Sequence, residues 1–272
     1  MNSKGSDTVR IITVASGKGG VGKTNVSVNL GVAMARQGER TLLVDCDMGL
    51  ANAGILLGVD SAWTIADLMS RHCEIDDLIR RGPGGLCLLP GHSGTGIGSD
   101  LPEGERRRLL EALRARGGAF DQIIIDTASG ISAQGLGLVA EADLALIVMA
   151  PEPTSFVDAY ALVKALAVGH GRTEFAILTN MVENDEAGAA LFEHFKGVIT
   201  RFLDVELEHA GSVPLDPYVR QAVLRKRCCV DLFPSSRATK AFGRLARKLT
   251  QPAPVRPAAT QFPRMEQFHG LD

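Results

Sequence analysis

The chain has 272 residues, of which 45% are hydrophobic and 22% charged, as is typical of a globular protein with room for one large α/β domain. Its formal net charge of -2 gives no overall field that would attract nucleic acid or an anionic membrane. The sequence has no apolar run of about eighteen residues, so we expect no transmembrane span, and the polar residues 1–9 predict a short flexible N-terminus without a signal sequence.

The first informative feature is a glycine-rich stretch between a predicted strand and a predicted helix. Residues 10–15 are β-formers, and residues 25–36 have helical apolar spacing. The spacing Gly-x4-Gly-Lys-Thr between them is typical of a loop whose backbone N–H groups surround a phosphate at a helix N-terminus. In such a loop Lys23 reaches the β- and γ-phosphates, and Thr24 offers a hydroxyl to Mg²⁺. The residues predicted to bind a nucleotide are Gly17, Lys18, Gly19, Gly20, Val21, Gly22, Lys23 and Thr24. The alternative is a glycine-rich turn that binds no ligand.

Two aspartates follow the next predicted strand. The apolar run at residues 41–44 is typical of a parallel strand buried on both faces, and it ends in Asp45-Cys46-Asp47. Open α/β sheets bind ligands at the carboxyl ends of their strands, so both carboxylates can belong to one site. There they can have different tasks, although a helix cap and a surface carboxylate are the alternative.

The middle of the chain alternates between helical and extended patterns. Residues 64–71 and 74–80 predict short helices, residues 86–90 predict a strand, and the glycine-rich residues 91–98 predict a loop near the rim of the site. Residues 103–116 predict an amphipathic helix. We expect its arginines to face outward, as a solvated surface or as a partner-binding surface; they are Arg106, Arg107, Arg108, Arg114 and Arg116.

An acidic residue also ends the buried strand predicted at residues 122–126. An apolar strand whose terminal carboxylate points to the hydration shell of a metal is the Walker B arrangement, so we predict that Asp126 and Thr24 hold Mg²⁺. Strands and helices continue to alternate after it, with strands at 144–149, 175–179 and about 207–210 and helices from 154 or 155 to about 168 and at 186–202. This alternation predicts an α/β fold, a doubly wound and mostly parallel sheet with helices on both faces.

The C-terminal part combines a basic helix with a proline-containing tail. Residues 236–249 predict a helix with arginines and lysines on one side, and residues 250–272 contain four of the twelve prolines. Near the end, apolar residues recur every third position, as in a short amphipathic helix: Phe262, Met265, Phe268 and Leu271. We expect either a membrane-binding segment, which would need two copies in a dimer, or a disordered tail.

Lys18 is a residue that a plain phosphate loop does not need. The sequence Lys-Gly-Gly-Val-Gly-Lys-Thr at 18–24 resembles the deviant Walker A motif of the MinD/ParA/nitrogenase-iron-protein class of ATPases. The resemblance implies that Lys18 reaches across a dimer interface to the ATP of the partner; the alternative is a solvated loop charge. It extends over residues 10–249 and implies that these form a MinD-like P-loop NTPase domain, followed by the tail at 250–272.

The residues around the aspartate pair resemble one branch of this class of ATPases. Residues 45–52, Asp-Cys-Asp-Met-Gly-Leu-Ala-Asn, followed by Leu-Leu-Gly at 56–58, resemble switch I of the FlhG/FleN branch, the flagellar-number ATPases. The resemblance implies that Asp47 polarises the attacking water, that Asp45 contacts the region of the phosphate loop, and that Asn52 lies near the γ-phosphate.

Two later segments match the same class, one of them with a departure. After Asp126, Ala128 and Ser129 stand where glycine or proline and then alanine are usual in switch II, which affects the loop conformation and not the role of Asp126. The resemblance further implies that Asn180 faces the adenine ring and that Pro214 and Asp216 belong to a second adenine-contacting segment. For Asn180 and Asp216 the alternative is a turn residue.

Together these residues imply an ATPase that acts as a timer. ATP and Mg²⁺ are the expected ligands, Lys18, Lys23 and Asp47 the expected catalytic residues, and an ATP-dependent homodimer the expected assembly. The resemblance implies regulation of flagellar number or placement with an FlhF-type GTPase, flagellar switch proteins or a flagellar transcription regulator as partner. Cysteines without zinc-like spacing indicate a cytoplasmic protein, which the tail would bring to the inner face of the cell membrane.

Three questions remain open. FlhG proteins often begin with Asp-Gln-Ala-x-x-Leu-Arg, which stimulates the FlhF GTPase. Residues 1–9 contain no such sequence, so the resemblance does not imply GTPase activation by that route. The basic helix at 236–249 keeps open a ParA-type or MinD-type partition or cell-division ATPase, with nonspecific DNA binding that salt would weaken. The third alternative is a non-catalytic scaffold in which ATP binding alone matters.

Overall fold

The strands form one continuous sheet. The structure, a computed structural model, describes residues 9–47, 52–61, 65–69, 72–91 and 102–251. Within these residues the strands are β1 Arg10–Ala15, β2 Thr41–Cys46, β3 Arg80–Arg81, β4 Cys87–Leu89, β5 Gln122–Thr127, β6 Leu144–Met149, β7 Glu174–Val182 and β8 Glu206–Pro214. Their order in the sheet is β3-β4-β2-β5-β1-β6-β7-β8, and each neighbouring pair is parallel except β3 with β4.

The helices connect these strands. In chain order the described helices are α1 Lys23–Arg36, α2 Asn52–Leu57, α3 Ile65–Met69, α4 Ile75–Leu78, α5 Glu103–Arg114, α6 Ala133–Glu141, α7 Pro153–His170, α8 Asp185–Ile199, α9 Pro217–Leu224, α10 Cys229–Leu232 and α11 Arg237–Thr250. A short 3-10 turn at Pro83–Gly85 precedes β4. No helix in the described ranges is both long and apolar enough to cross a membrane.

Alternating strand residues fill a core on each face of the sheet. Ile12 and Val14 of β1 pack with α1, α2 and α9 to α11 on one face. The neighbouring Ile11 packs on the other face, where α3 to α6 cover β2 and β5 and α7 and α8 cover β6 and β7. Because both faces are covered, the central strands β1, β2, β5 and β6 contain continuous apolar runs, whereas the edge strand β8 begins with alternating exposed and buried residues.

The topology places the glycine-rich loop at the carboxyl end of β1, a strand in the middle of the sheet. β1 lies between β5 and β6. Strands β2 to β5 therefore lie on one side of β1, and strands β6 to β8 lie on the other side. Open α/β sheets bind ligands at such a switch point, outside the carboxyl ends of the strands. The predicted doubly wound, mostly parallel fold with helices on both faces is confirmed.

Several predicted element limits were wrong. The helix predicted at 74–80 ends at Leu78, because Arg80–Arg81 pairs antiparallel with β4. The strand predicted at about 207–210 extends to Pro214, so Pro214 is a strand residue. The helices predicted at 25–36, 103–116 and 186–202 are Lys23–Arg36, Glu103–Arg114 and Asp185–Ile199. Helices α2, α6, α9 and α10 were not predicted.

The outward orientation predicted for the arginines of α5 is also wrong for one of them. Arg106 has a side-chain exposure of only 14% and pairs with Glu141 at 3.0 Å. Its guanidinium lies so close to Gly137 of α6 that a Cβ there would approach it to 2.4 Å. Arg106 therefore joins α5 to α6 and is not part of a free basic surface.

Candidate functional site

The glycine-rich loop at residues 16–22 connects β1 to α1. Gly20 and Gly22 have φ angles of 85° and 86°, a conformation that residues with a Cβ rarely adopt. Gly22 is the N-cap of α1 and provides no side-chain cap, so N–H groups of the first turn remain for an anion. The carbonyl of Ser16 accepts a hydrogen bond of 2.8 Å from the N–H of Gly130, which joins this loop to the segment after β5.

The loop borders a cavity of about 460 Å³. The structure brings together here most of the residues predicted for the phosphate side of the site. Its walls contain Ser16, Lys18, Gly19, Gly20, Gly22, Lys23, Thr24, Asn25, Asp47, Asn52, Ile55, Leu56, Ser129 and Val223, whereas the predicted Gly17 and Val21 are not among them. The predicted switch I residues 48–51 and the predicted loop residues 92–98 lie outside the described residues.

A lysine and two carboxylates meet at the floor of this cavity. The Nζ of Lys23 lies 2.9 Å from Oδ1 of Asp126 and 3.8 Å from Oδ2 of Asp47. Ser27, one turn after Lys23 in α1, donates a hydrogen bond of 2.8 Å to the same Oδ1 of Asp126. The other oxygen of Asp126, Oδ2, is buried and has no hydrogen-bond partner. Asp126 thus presents an unused acceptor beside the phosphate loop.

Asp45 and Asp47 have different surroundings, because Asp45 lies within β2 whereas Asp47 follows its last residue. Asp45 is buried, and its oxygens accept from the N–H groups of Ala53 and Asp47 at 3.1 and 3.2 Å. Burial, and then the charge of Asp126, raise the pKa of Asp45 to about 7. Burial also raises the pKa of the more exposed Asp47, while the charge of Lys23 opposes this shift. Asp45 therefore supports the start of α2, whereas Asp47 faces the cavity.

Lys18 contacts the N-terminus of α7 within the same chain. Its Nζ lies 2.8 Å from Oε2 of Glu152 and 2.8 Å from Oγ1 of Thr154. The side chains of Lys18 and Glu152 are 36% and 57% exposed, so this ion pair is accessible to solvent and contributes little to stability.

A second cavity, of about 250 Å³, continues from the first beyond Gly22. Gly22, Asn25 and Val223 line both cavities. All three residues predicted to contact adenine line the second one: Asn180, Pro214 and Asp216. Its other walls are mainly apolar, as the face of a purine base requires.

Asn180 and Asp216 also make hydrogen bonds that connect separate elements of the fold. The Nδ2 of Asn180 donates a hydrogen bond of 2.8 Å to the carbonyl of Val21, which ties β7 to the phosphate loop. The two oxygens of Asp216 accept 3.0 Å hydrogen bonds from the N–H groups of Tyr218 and Ala238, in the first turns of α9 and α11. Asp216 therefore caps two helices beside the second cavity.

Sequence reasoning missed four residues of this arrangement. Ser27 carried a usable signal, since it lies one helical turn from Lys23 on the face that meets Asp126. Glu152 and Thr154, which hold Lys18, come from a distant part of the chain, and no local pattern indicates them. Met181, which lines the second cavity, looks like an ordinary strand residue in the sequence.

Comparisons with known proteins give a consistent assignment. A protein-family model described as an AAA domain matches residues 9–172. The antiactivator FleN of Pseudomonas aeruginosa is 42% identical over 250 residues, which are 92% of this chain and 89% of that protein. The flagellum site-determining protein YlxH of Helicobacter pylori is 32% identical over 233 residues, 84% of this chain and 79% of that protein. The septum site-determining protein MinD of Pyrococcus horikoshii, solved with Mg-ADP, has a TM-score of 0.71 at 26% identity and covers 89% of this chain and 96% of its own.

Proposed function

Because this chain belongs to the FlhG/FleN branch of the MinD/ParA family of ATPases, we propose that it is a switch in which ATP closes a homodimer and hydrolysis to ADP opens it. The prediction of this branch from residues 45–58 is confirmed by the two flagellar relatives. The chain is an ATPase, and the same two relatives support a role in regulating flagellar number.

The observation that carries the proposal is the charge arrangement around Lys23. Its ammonium group lies between Asp126 and Asp47, and Lys23 lines the cavity that the phosphate loop borders. Phosphoryl transfer needs positioning and charge neutralisation rather than a covalent partner on the protein. Lys23 is placed to exchange its contact with Asp126 for the β- and γ-phosphates of ATP.

Two features of the site fit Mg²⁺. The buried Oδ2 of Asp126, next to Lys23, has no partner, and Thr24 lines the phosphate cavity beside Lys23. Mg²⁺ takes oxygen ligands and keeps several waters, so Asp126 and the hydroxyl of Thr24 would hold it beside the phosphates. When bound, the ion neutralises the negative charge that develops on the phosphates during transfer. The Pyrococcus horikoshii MinD was solved as a complex with Mg-ADP, which supports binding of a nucleotide and Mg²⁺ in the family.

Asp47 is our candidate for orienting the attacking water. It lines the phosphate cavity, and Asn52 lies in the same wall at the start of α2. A carboxylate at this place can hold a water for in-line attack on the γ-phosphate. On the base side, Asn180 and Pro214 would contact adenine, and Asp216 would hold the two capped helices around it.

Lys18 would act in the dimer. In the single chain it is held by an exposed ion pair with Glu152, which costs little to break. A lysine held this loosely can move to the phosphates of a second copy when ATP is bound. We therefore count Lys18 with Lys23 and Asp47 as the catalytic residues.

Two variants test the switch. Lys18→Ala should lose ATP-dependent dimerisation, whereas Asp47→Ala should form the ATP dimer and fail to release phosphate. Light scattering after size exclusion with ATP or ADP measures the first property, and a phosphate-release assay measures the second. Arg107→Ala, at a solvent-exposed salt bridge on α5, is the control and should behave like the wild type. Normal dimerisation of Lys18→Ala would contradict the cross-interface role, and phosphate release by Asp47→Ala would contradict the water-orienting role.

The partners are proposed from the branch. We propose that the ATP dimer acts on an FlhF-type GTPase, on flagellar switch proteins or on a flagellar transcription regulator. Residues 10–249 would form the ATPase domain of this cytoplasmic protein. The tail at 250–272, most of which lies outside the described residues, would bring the dimer to the inner face of the membrane.

Basic side chains of α11, on which the alternative of a DNA-binding partition ATPase rests, make contacts within the chain. Arg244 pairs with Asp185 at 3.1 Å, and Lys248 pairs with Glu208 at 2.9 Å. Arg237 donates to the carbonyl of Leu215 at 3.2 Å. Three of the basic side chains of this helix thus have partners within the chain. An affinity for nonspecific duplex DNA that falls steeply with salt concentration would favour the partition ATPase.

A further inference from the structure

The end of β7 contains a backbone irregularity at Met181. Asn180 pairs with Val213 and Val182 pairs with Pro214, so Met181 is an extra residue without a partner in β8. Its φ angle is 59°, and Lys226, at 52°, is the other non-glycine residue with positive φ in the described part of the chain. Left-handed backbone at an unbranched apolar residue is strained, and bulges that carry it often redirect a side chain at a functional site.

The bulge changes where the side chain of Met181 points. In a regular strand, neighbouring side chains point to opposite faces, so Asn180 and Met181 would be separated by the sheet. Here both line the second cavity. A Cβ built on Gly22 would lie 2.6 Å from Nδ2 of Asn180 and 3.1 Å from Cε of Met181, so both side chains reach the same glycine of the phosphate loop.

The cavity offers a mainly apolar space next to the phosphate site. Met181 and Val223 stand in its wall, and Pro214 closes another part of it. The Nδ2 of Asn180 is engaged with the carbonyl of Val21, which fixes the plane of that amide beside the cavity. A thioether is polarisable and packs favourably on an aromatic ring.

From this arrangement we propose that Met181 is a base-contacting residue, redirected by the bulge so that its thioether packs against the purine ring of the bound nucleotide. The proposal rests on the nucleotide binding proposed above and adds to it a contact made to the base rather than to the phosphates. It assigns a purpose to the strained backbone, because without the bulge the cavity would lose this wall.

The test compares a ligand that has a base with one that lacks it. Calorimetric titrations of the full chain in Mg²⁺ buffer would measure ADP and inorganic pyrophosphate on wild type, Met181→Gly, Met181→Asn and Met181→Leu. Glycine and asparagine accept the left-handed backbone, and leucine keeps an apolar side chain. Lys226→Gly is the matched control, since it relaxes the same backbone conformation away from the cavity.

We expect Met181→Gly and Met181→Asn to weaken ADP binding about 2- to 10-fold, the range of a sulfur–aromatic contact. Pyrophosphate affinity should stay within about 2-fold of the wild type, Met181→Leu should recover most of the ADP affinity, and Lys226→Gly should bind both ligands normally. Unchanged ADP affinity in both Met181→Gly and Met181→Asn would overturn the inference. An equal loss for ADP and pyrophosphate would also overturn it, because Met181 would then act through the phosphate loop. Failure of the wild type to bind either ligand would instead refute the proposed function itself.

Discussion

Replacing Gly17 by alanine should show how much stability depends on the close packing of the phosphate loop against α7. A Cβ at Gly17 would lie 2.0 Å from the carbonyl oxygen of Asp158 in α7, whereas Cβ contacts essentially never fall below 3.0 Å. The loop or the helix backbone must therefore move by about 1 Å, which a close-packed interior resists. We expect Gly17→Ala to lower the free energy of unfolding by about 3 kcal/mol, the upper part of the range for overpacking.

Neighbouring glycines supply the controls. A Cβ at Gly19 meets only Oγ of Ser129, at 3.5 Å, so Gly19→Ala should leave stability nearly unchanged. Gly20 has open space but a φ of 85°, so Gly20→Ala should cost about 1–2 kcal/mol through backbone strain alone.

Thermal unfolding of the nucleotide-free variants measures this order. For a chain of this size, about 3 kcal/mol corresponds to a decrease in Tm of about 6–12 °C for Gly17→Ala. Equal Tm values for Gly17→Ala and Gly19→Ala would refute the steric argument, because the two variants add the same methyl group to the same loop.

Two further predictions concern buried carboxylates. The pKa of Asp45 is raised from 3.8 to about 7 by burial, so between these values the folded chain binds more protons than the unfolded chain, and the free energy of unfolding should fall as the pH rises from about 4 to about 7. Urea denaturation across this range should show a shallower fall for Asp45→Asn, and an identical slope would contradict the assignment. Asp216→Ala should lose two helix caps, about 2 kcal/mol, in a Tm measurement, whereas Asn184→Ala loses the one cap on Ala187 and about 1 kcal/mol. Equal Tm values for these two variants would count against the double cap.

The fold and the phosphate side of the site were predictable because their signals are local. Continuous apolar runs identify strands buried on both faces, and the glycine spacing before Lys23 requires backbone conformations that other residues avoid. Helix α9 also carried local signals that were overlooked, since Asp216 precedes a proline at its first position. The signals of helix α6 conflict: Ser132 caps its N-terminus, but its sequence, Ala-Gln-Gly-Leu-Gly-Leu-Val-Ala-Glu, contains two glycines that weaken the helical pattern.

The sequence by itself therefore determined the doubly wound sheet, the phosphate loop, and the acidic residues that end β2 and β5. Each of these depends on residues within one short segment, where periodicity and backbone preference act directly. Tertiary structure decided what the functional residues contact: Lys18 with Glu152, Ser27 with Asp126, and Asp216 with the first turn of α11. It also decided that a bulge at the end of β7 directs Met181 into the cavity beside Gly22. These contacts join segments that are far apart in the chain, so they depend on how the sheet packs its layers rather than on any local pattern.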